Sequence, residues 1–314
     1  MSFKKLMYAA NGWVSNTIHD IRADGVSGAK RAGRHLSAGG MVRFMKWLNR
    51  FTDSGECVFD RDWDLLIVLD ACRVDAIRTV SNDYEFLDDI EEIRSVGSMS
   101  KEWLNRTFPP QSNEVLQETA YITANPFSNE VEDLPFGQLD EVWKYGWDSG
   151  IETIPPRVVT DRAIAVGRES DHERTIVHYM QPHSPYIGNR LGEGLDLDTG
   201  GPRESTALWR LRAGEIDRSE LWDAYIDNLE YVLKDVQLLL NNFDAETAVI
   251  SADHGEAMGE WGVYDHPSNV PLSVVRSVPW CETKSTDRKE HTPANYDTQE
   301  DTQIEDRLAA LGYR

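Results

Sequence analysis

DLLIVLD, residues 64–70, is the stretch that decides the fold class. A short apolar run between two aspartates, with no polar alternation, suits a strand buried on both faces of a parallel sheet. The carboxyl end of that strand is then Asp70. RTIVHYMQP (174–182) repeats the pattern just before His183, and TAVISADHGE (247–256) repeats it with Asp253 and His254 at its end. PLSVV (271–275) is expected to be a fourth strand, and ETAYITAN (118–125) a weaker candidate. Between the second and third runs, SELWDAYIDNLEYVLKDVQLLLNNF sets Leu221, Tyr225, Leu229, Val232, Val236 and Leu239 or Leu240 at three- and four-residue steps. That period predicts an amphipathic helix long enough to cross between parallel strands. Strand and helix in alternation predict an α/β fold: a central, mostly parallel sheet flanked by helices.

The flanking stretches are less regular. Residues 187–215, rich in Gly and charge, read as a loop or insertion, and residues 282–300 as a polar, mobile segment. IEDRLAALGYR at the end predicts a short closing helix. The chain of 314 residues carries 54 acidic against 32 basic side chains, a net charge of −22, and only nine of the basic ones are lysine. Such a surface repels itself unless a dense ionic medium screens it, which points to a salty, haloarchaeal type of cytoplasm, with an ordinary acidic protein as the alternative. It also argues against nucleic acid as a partner, since phosphates require Lys and Arg patches. Three cysteines (Cys57, Cys72, Cys281) lack metal-type spacing and suit a reducing compartment. No apolar run reaches the roughly 18 residues of a membrane span, and the N-terminus has no adequate signal-peptide core. A cytoplasmic location is therefore expected. Residues 1–51 differ: nine Lys and Arg against two Asp give this arm +7, leaving −29 for the rest. With Trp13, Phe44, Met45, Trp47 and Leu48 among the basic residues, the arm folds back on its own acidic domain, makes peripheral contact with an anionic membrane, or docks on an acidic partner.

The polar residues at the strand ends carry the chemistry. Ligands of open α/β sheets bind outside the carboxyl ends of the strands, and three runs deliver Asp70, His183 and the pair Asp253-His254 to that edge. Carboxylates and imidazoles together suit a divalent metal ion, with a hydroxyl nucleophile as a further oxygen ligand. His266, twelve residues past the pair, can return to the same place. Taken singly, Asp70 could cap a helix, His183 could satisfy a loop, and Asp-His-Gly could be turn chemistry. Their joint arrival at successive strand ends favours a site.

LLIVLDACRVDA (65–76), YMQPHSPY (179–186) and VISADHGEAMGEWGVYDHPSNVPLSVV (249–275) resemble, in this order, the first-strand, histidine-loop and metal motifs of sulfatase-like enzymes of the alkaline-phosphatase superfamily. DRLAALGY (306–313) resembles a common ending of that family. The resemblance implies a basic helical arm over 1–56, a sulfatase-like catalytic domain over 57–281, and a polar linker with a C-terminal helix over 282–314. It implies that Asp70, Asp253 and His254 bind a divalent ion (Zn, Mn, Ca or Mg). It also implies that His183 and His266 act catalytically on an anionic ester, a small molecule or a glycan- or lipid-linked one. Arg73 would bind the phosphate or sulfate, with a salt bridge to Asp75 or a Glu as the alternative.

For the nucleophile, RSVGSMSKEWLNRTF (94–108) is the suitable segment. Ser100 is expected as the N-cap of KEWLNRTF and as a metal ligand, with Ser98 as the runner-up and a purely structural cap as the alternative. Cys72 would point into helix packing. The chain departs from the family in three respects: no Cys or Ser followed by Pro and Arg at alternate positions surrounds Ser98 or Ser100, Ala71 stands where a second Asp is usual, and the family's later lysine has no match, His266 lying in its general place. These departures favour phosphoesters over sulfate esters and one metal ion over two. The expected activity is hydrolysis or transfer through a seryl intermediate. The alternative is a non-catalytic ligand-binding or membrane-surface module that keeps the fold.

Overall fold

A computed structural model of the chain describes residues 39–52, 54–108, 113–188, 191 and 206–298. Nine strands occur among them: β1 (Leu65–Leu69), β2 (Glu91–Arg94), β3 (Thr119–Thr123), β4 (Gln138–Glu141), β5 (Arg174–Tyr179), β6 (Ala245–Ser251), β7 (Ala257–Met258), β8 (Tyr264–Asp265) and β9 (Ser277–Ser285). The helices are α1 (39–48), α2 (Val74–Val80), α3 (Ser100–Thr107), α4 (Asn113–Gln117), α5 (Pro156–Glu169), α6 (Ala207–Ala213), α7 (Arg218–Leu240) and α8 (Ser273–Arg276). Seven strands form one sheet in the order β2-β9-β6-β1-β5-β3-β4. β1 pairs in parallel with both β5 and β6, and β3 with both β5 and β4. Within this sheet only the β2–β9 and β6–β9 pairs are antiparallel, and β7 and β8 form a separate antiparallel pair. The sheet is thus central and mostly parallel, as DLLIVLD predicts.

β1 lies at the middle of this sheet, and all five of its side chains are buried. Burying a Leu or Ile fully contributes about 1.5–3 kcal/mol each, so this strand is a large share of the core. α7 follows its predicted period, with Leu221, Tyr225, Leu229, Val232, Val236, Leu239 and Leu240 all buried. ETAYITAN does form a strand, β3, with every residue buried.

Other expectations fail. PLSVV is not a strand: Ser273–Arg276 is a helical turn, and the strand begins at Ser277. The turn aims the Val275 carbonyl at the Gly255 N–H, 2.7 Å away, and the Arg276 carbonyl at the Ser95 N–H, also 2.7 Å away. Tertiary hydrogen bonds to two site-bearing loops thus override the β preference of the valines. β9 runs to Ser285, past residue 281, and the segment after it is anchored rather than mobile. His291, Tyr296 and the Ala294 N–H all reach the Asp161 carboxylate of α5 at 2.6, 2.8 and 3.2 Å. The stretch expected as an irregular loop contains α6, while residues 192–205 lie outside the described residues. The closing helix at 304–314 and arm residues 1–38 also lie outside them.

The described end of the arm folds back on the domain. Met41, Val42 and Met45 of α1 pack against a small cluster that includes Val263, Val270, Leu272 and Val275. Lys46 Nζ donates to Ser268 Oγ at 3.0 Å. Among the described residues no helix is long and apolar enough to cross a membrane.

Candidate active site

Adjacent strands β3, β5, β1 and β6 all end at the same edge of the sheet, which is where the polar residues gather. Asp70 follows β1 directly and is 1% exposed. Ala71 after it has φ 61°, a left-handed conformation uncommon for a residue with a Cβ. Two side chains fix that turn: the Ala71 N–H donates to Asp253 Oδ1 at 3.1 Å, and Tyr225 of α7 donates its hydroxyl to the Ala71 carbonyl at 2.7 Å. Position 71, where the family pattern has a second carboxylate, therefore supplies a backbone N–H to the site instead.

Asp253 and His254 follow β6 after Ala252 and are both fully buried. The next residue must be glycine, because a Cβ at Gly255 would collide with the Val274 carbonyl oxygen. His254 Nδ1–H donates to the Gly255 carbonyl at 2.9 Å, which leaves the Nε2 lone pair facing the carboxylates. His254 Nε2 lies 3.6 Å from Asp70 Oδ1 and 3.4 Å from Asp253 Oδ2. Neither of those two oxygens has a hydrogen-bond partner, although both are buried. Buried, unpaired carboxylate oxygens are costly unless a cation meets them.

Ser100 is the first residue of α3, with Met99 at the N-cap. This corrects the expectation of Ser100 as the cap. Its hydroxyl turns to the site rather than to its own helix, lying 3.2 Å from His254 Nε2 and 3.5 Å from Asp70 Oδ2. Ser98 points elsewhere, donating to Glu102 Oε2 or the Pro267 carbonyl and accepting from the Val270 N–H. Cys72 is buried, and desolvation pushes its thiol up, far from a thiolate at neutral pH.

The two remaining histidines stand beside this cluster. The His266 ring centre is 4.4 Å from that of His254 and 5.2 Å from that of His183. His266 Nδ1 lies 3.0 Å from Asp265 Oδ1 and 3.3 Å from Glu256 Oε1. Burial works against its charge, but Asp265 and Glu256 overcome this and push its pKa up to about 10. His183 shows the reverse: burial and the neighbouring His266 charge hold it down to about 3. Its loop is clamped by Asn228 of α7, whose Nδ2 donates to the Pro182 and His183 carbonyls at 3.0 Å each. Burial holds His254 down to about 4. Burial and the charge of Asp253 raise Asp70. Burial works the other way on Asp253, yet His254 and His178 hold it below the usual carboxylate range.

Arg73 has a different setting from the anion-binding one expected. It is 3% exposed and donates twice to Asp75, at 2.8 and 2.6 Å, and once each to Glu260 Oε1 and the Glu256 carbonyl. The salt-bridge alternative describes this geometry. Three residues given no role in the sequence reading complete the site. Asn125, just past β3, donates to Asp70 Oδ2 at 2.8 Å and so orients that carboxylate. His178 in β5 places Nε2 3.8 Å from Asp253 Oδ2 and meets the Tyr121 hydroxyl through Nδ1 at 2.9 Å. Glu256 faces His266. Glu256 had a visible signal in the quoted ADHGE run, and so did Asn228, which clamps the His183 loop, as a polar residue in the buried stripe of α7.

Two groups of ligand-type atoms result. One atom each from Asp70, Asp253 and His254 lies within 4.8 Å of the others, and the same holds for His183, Glu256 and His266. The first group fits a divalent cation by its chemistry: two buried carboxylates with unpaired oxygens, an imidazole lone pair and a nearby hydroxyl.

No protein-family model matches the chain, and no curated protein matches it. Solved structures do. The chain is similar to the integral membrane protein lipooligosaccharide phosphoethanolamine transferase A from Neisseria meningitidis (TM-score 0.49, 15% identity), over 72% of this chain and 48% of that one. It spans, in other words, about half the length of that enzyme. It is also similar to the C-terminal periplasmic domain of phosphoethanolamine transferase EptC from Campylobacter jejuni (TM-score 0.47, 18% identity), over 79% of this chain and 87% of that one. A third similar structure is the 2-O GAG sulfatase BT1596 (TM-score 0.41, 13% identity), over 72% of this chain and 65% of that one.

Proposed function

We propose that the chain is a metal-dependent hydrolase or transferase of phosphate esters, with Ser100 as its nucleophile. One observation carries this reading: the Ser100 hydroxyl meets His254 Nε2 at 3.2 Å, among buried carboxylate oxygens of Asp70 and Asp253 that lack any partner. Asp70, Asp253, His254 and the Ser100 oxygen would hold one divalent ion. Such an ion, when bound, stabilises the serine alkoxide and polarises the ester oxygen.

The protein's own groups account for the rest. Asn125 and the Ala71 N–H hold the two carboxylates in place. His254 is kept in one tautomer by the Gly255 carbonyl. Ser100 passes its hydroxyl proton to Asp70 Oδ2, 3.5 Å away, its Oγ attacks phosphorus, a Ser–O–P bond forms, and the bond to the leaving alkoxide breaks. His266, positioned by Glu256 and Asp265, faces the anionic ester as a cation and can supply the proton the alkoxide takes. Water or an acceptor hydroxyl then attacks the phosphoseryl group and restores Ser100, which distinguishes hydrolase from transferase. Arg73 acts here as a positioning residue, tying α2 to the backbone of Glu256. The absence of a Cys or Ser followed by Pro and Arg around Ser100 favours phosphate over sulfate.

The His183–Glu256–His266 group favours a second reading, with a second ion in place of direct histidine contact to the ester. A non-catalytic module has less support, since it gives no reason for unpaired carboxylates beside a serine. The test is a panel of aryl phosphates, phosphodiesters and aryl sulfates, with acid-quenched peptide mass spectrometry of Ser100. A phospho-substituent on Ser100 and its loss in Ser100→Ala are expected. Turnover that survives Ser100→Ala would refute the assignment.

A further inference from the structure

Five large apolar side chains are exposed among the described residues, and three of them lie on one short helical stretch: Phe44, Trp47 and Phe51, at 51, 52 and 74%. Their rings form a ladder, with centroids 6.1 Å apart for Phe44–Trp47 and 5.3 Å for Trp47–Phe51. Arg43, Lys46 and Arg50 are exposed beside them, and residues 39–51 contain no acid. The opposite face, Met41, Val42 and Met45, is the one packed on the domain. The stretch is therefore amphipathic in an unusual sense: one apolar side serves the fold, while aromatic rings and cations share the other.

We propose that this outer face docks on an anionic lipid bilayer surface. Aromatic rings prefer the headgroup region, where the ring body is apolar and its edge meets water. Lys and Arg beside them are attracted to anionic headgroups. Charge complementarity selects this occupant over two others. Residues 1–38 carry six Lys and Arg against two Asp, so a cover made from them would set like charges together. A second copy meeting the same face about a two-fold axis would do the same. The chain beyond residue 51, which carries −29, is repelled by anionic lipid, so it takes no part in the contact. Lys46 links that helix to Ser268, two residues past His266, so docking brings the loop of His266 toward the lipid surface. The docking itself does not depend on the ester chemistry.

Flotation of the full chain with vesicles of phosphatidylglycerol or of phosphatidylcholine tests it, at the lowest salt that keeps the folded circular-dichroism spectrum. Binding to phosphatidylglycerol vesicles, weakened by added salt, and none to phosphatidylcholine is expected. The combined variant Phe44→Ser, Trp47→Ser, Phe51→Ser should bind at least tenfold more weakly with an unchanged melting curve. Neutralising Arg43 and Arg50 to Gln should weaken binding roughly fivefold for each. Absence of flotation, equal binding to both vesicles, or full binding by the aromatic variant overturns the proposal. So does a lipid-free dimer of the wild type that the aromatic variant dissociates, which would give the face to a second copy.

Discussion

Ser98 and Ser100 are two residues apart and sit in opposite surroundings. Ser98 is satisfied by Glu102, Pro267 and Val270, so Ser98→Ala should leave those groups short of a partner and lower stability by about 1–3 kcal/mol. Ser100→Ala should leave the melting temperature almost unchanged while abolishing turnover. Paired thermal melts and assays of the two variants check this; a destabilised Ser100→Ala with residual turnover would reverse the two roles. Asp70, Asp253, His254 and His183 were legible in the sequence because each ends, or directly follows, a run that reads as structure, and His266 through its place in the 249–275 motif. Asn125 and His178 were not legible. Each acts on a carboxylate from another strand, and which strands adjoin is a property of the sheet order rather than of any local stretch. His178 also sits inside an apolar run, where it reads as one more buried residue.

At the scale of elements, the parallel strands were readable because burial on both faces writes itself as a continuous apolar run. β9 was not, since SVPWCETKS mixes a proline with charges, and its exposed positions, Glu282 and Lys284, fall only towards its end. PLSVV misled for the opposite reason: its composition is that of a strand, but the carbonyls of Val275 and Arg276 accept from the N–H groups of Gly255 and Ser95 in the site-bearing loops. The close approach at Gly255 makes a sharp test. Gly255→Ala should destabilise the fold by about 1–3 kcal/mol through overpacking against the Val274 carbonyl, measured by urea denaturation; a neutral effect would show that the α8 turn is free to withdraw. The segment after β9 supplies another. Asp161→Ala removes the acceptor of His291, Tyr296 and the Ala294 N–H. Amide exchange in residues 286–298 should then accelerate with no change around Ser100.

The whole molecule carries −22, so its charges repel in dilute buffer. Added KCl should raise the melting temperature over the range in which screening develops, and a flat or falling curve would remove the salt-adapted reading of the composition. The proposed metal ion would be coupled to the same folding equilibrium. A ligand at about 100 times its Kd stabilises the folded state by about 2.7 kcal/mol, and an ion here would also relieve two buried, unpaired carboxylate oxygens. Measurement of bound divalent metal per chain, by elemental analysis after dialysis against trace metal in high salt, probes the site without knowledge of the substrate. One ion per chain in the wild type, lost in Asp253→Ala and retained in Ser98→Ala, is the expected result. A wild-type protein that holds no divalent ion would contradict the proposed site and the serine chemistry built on it.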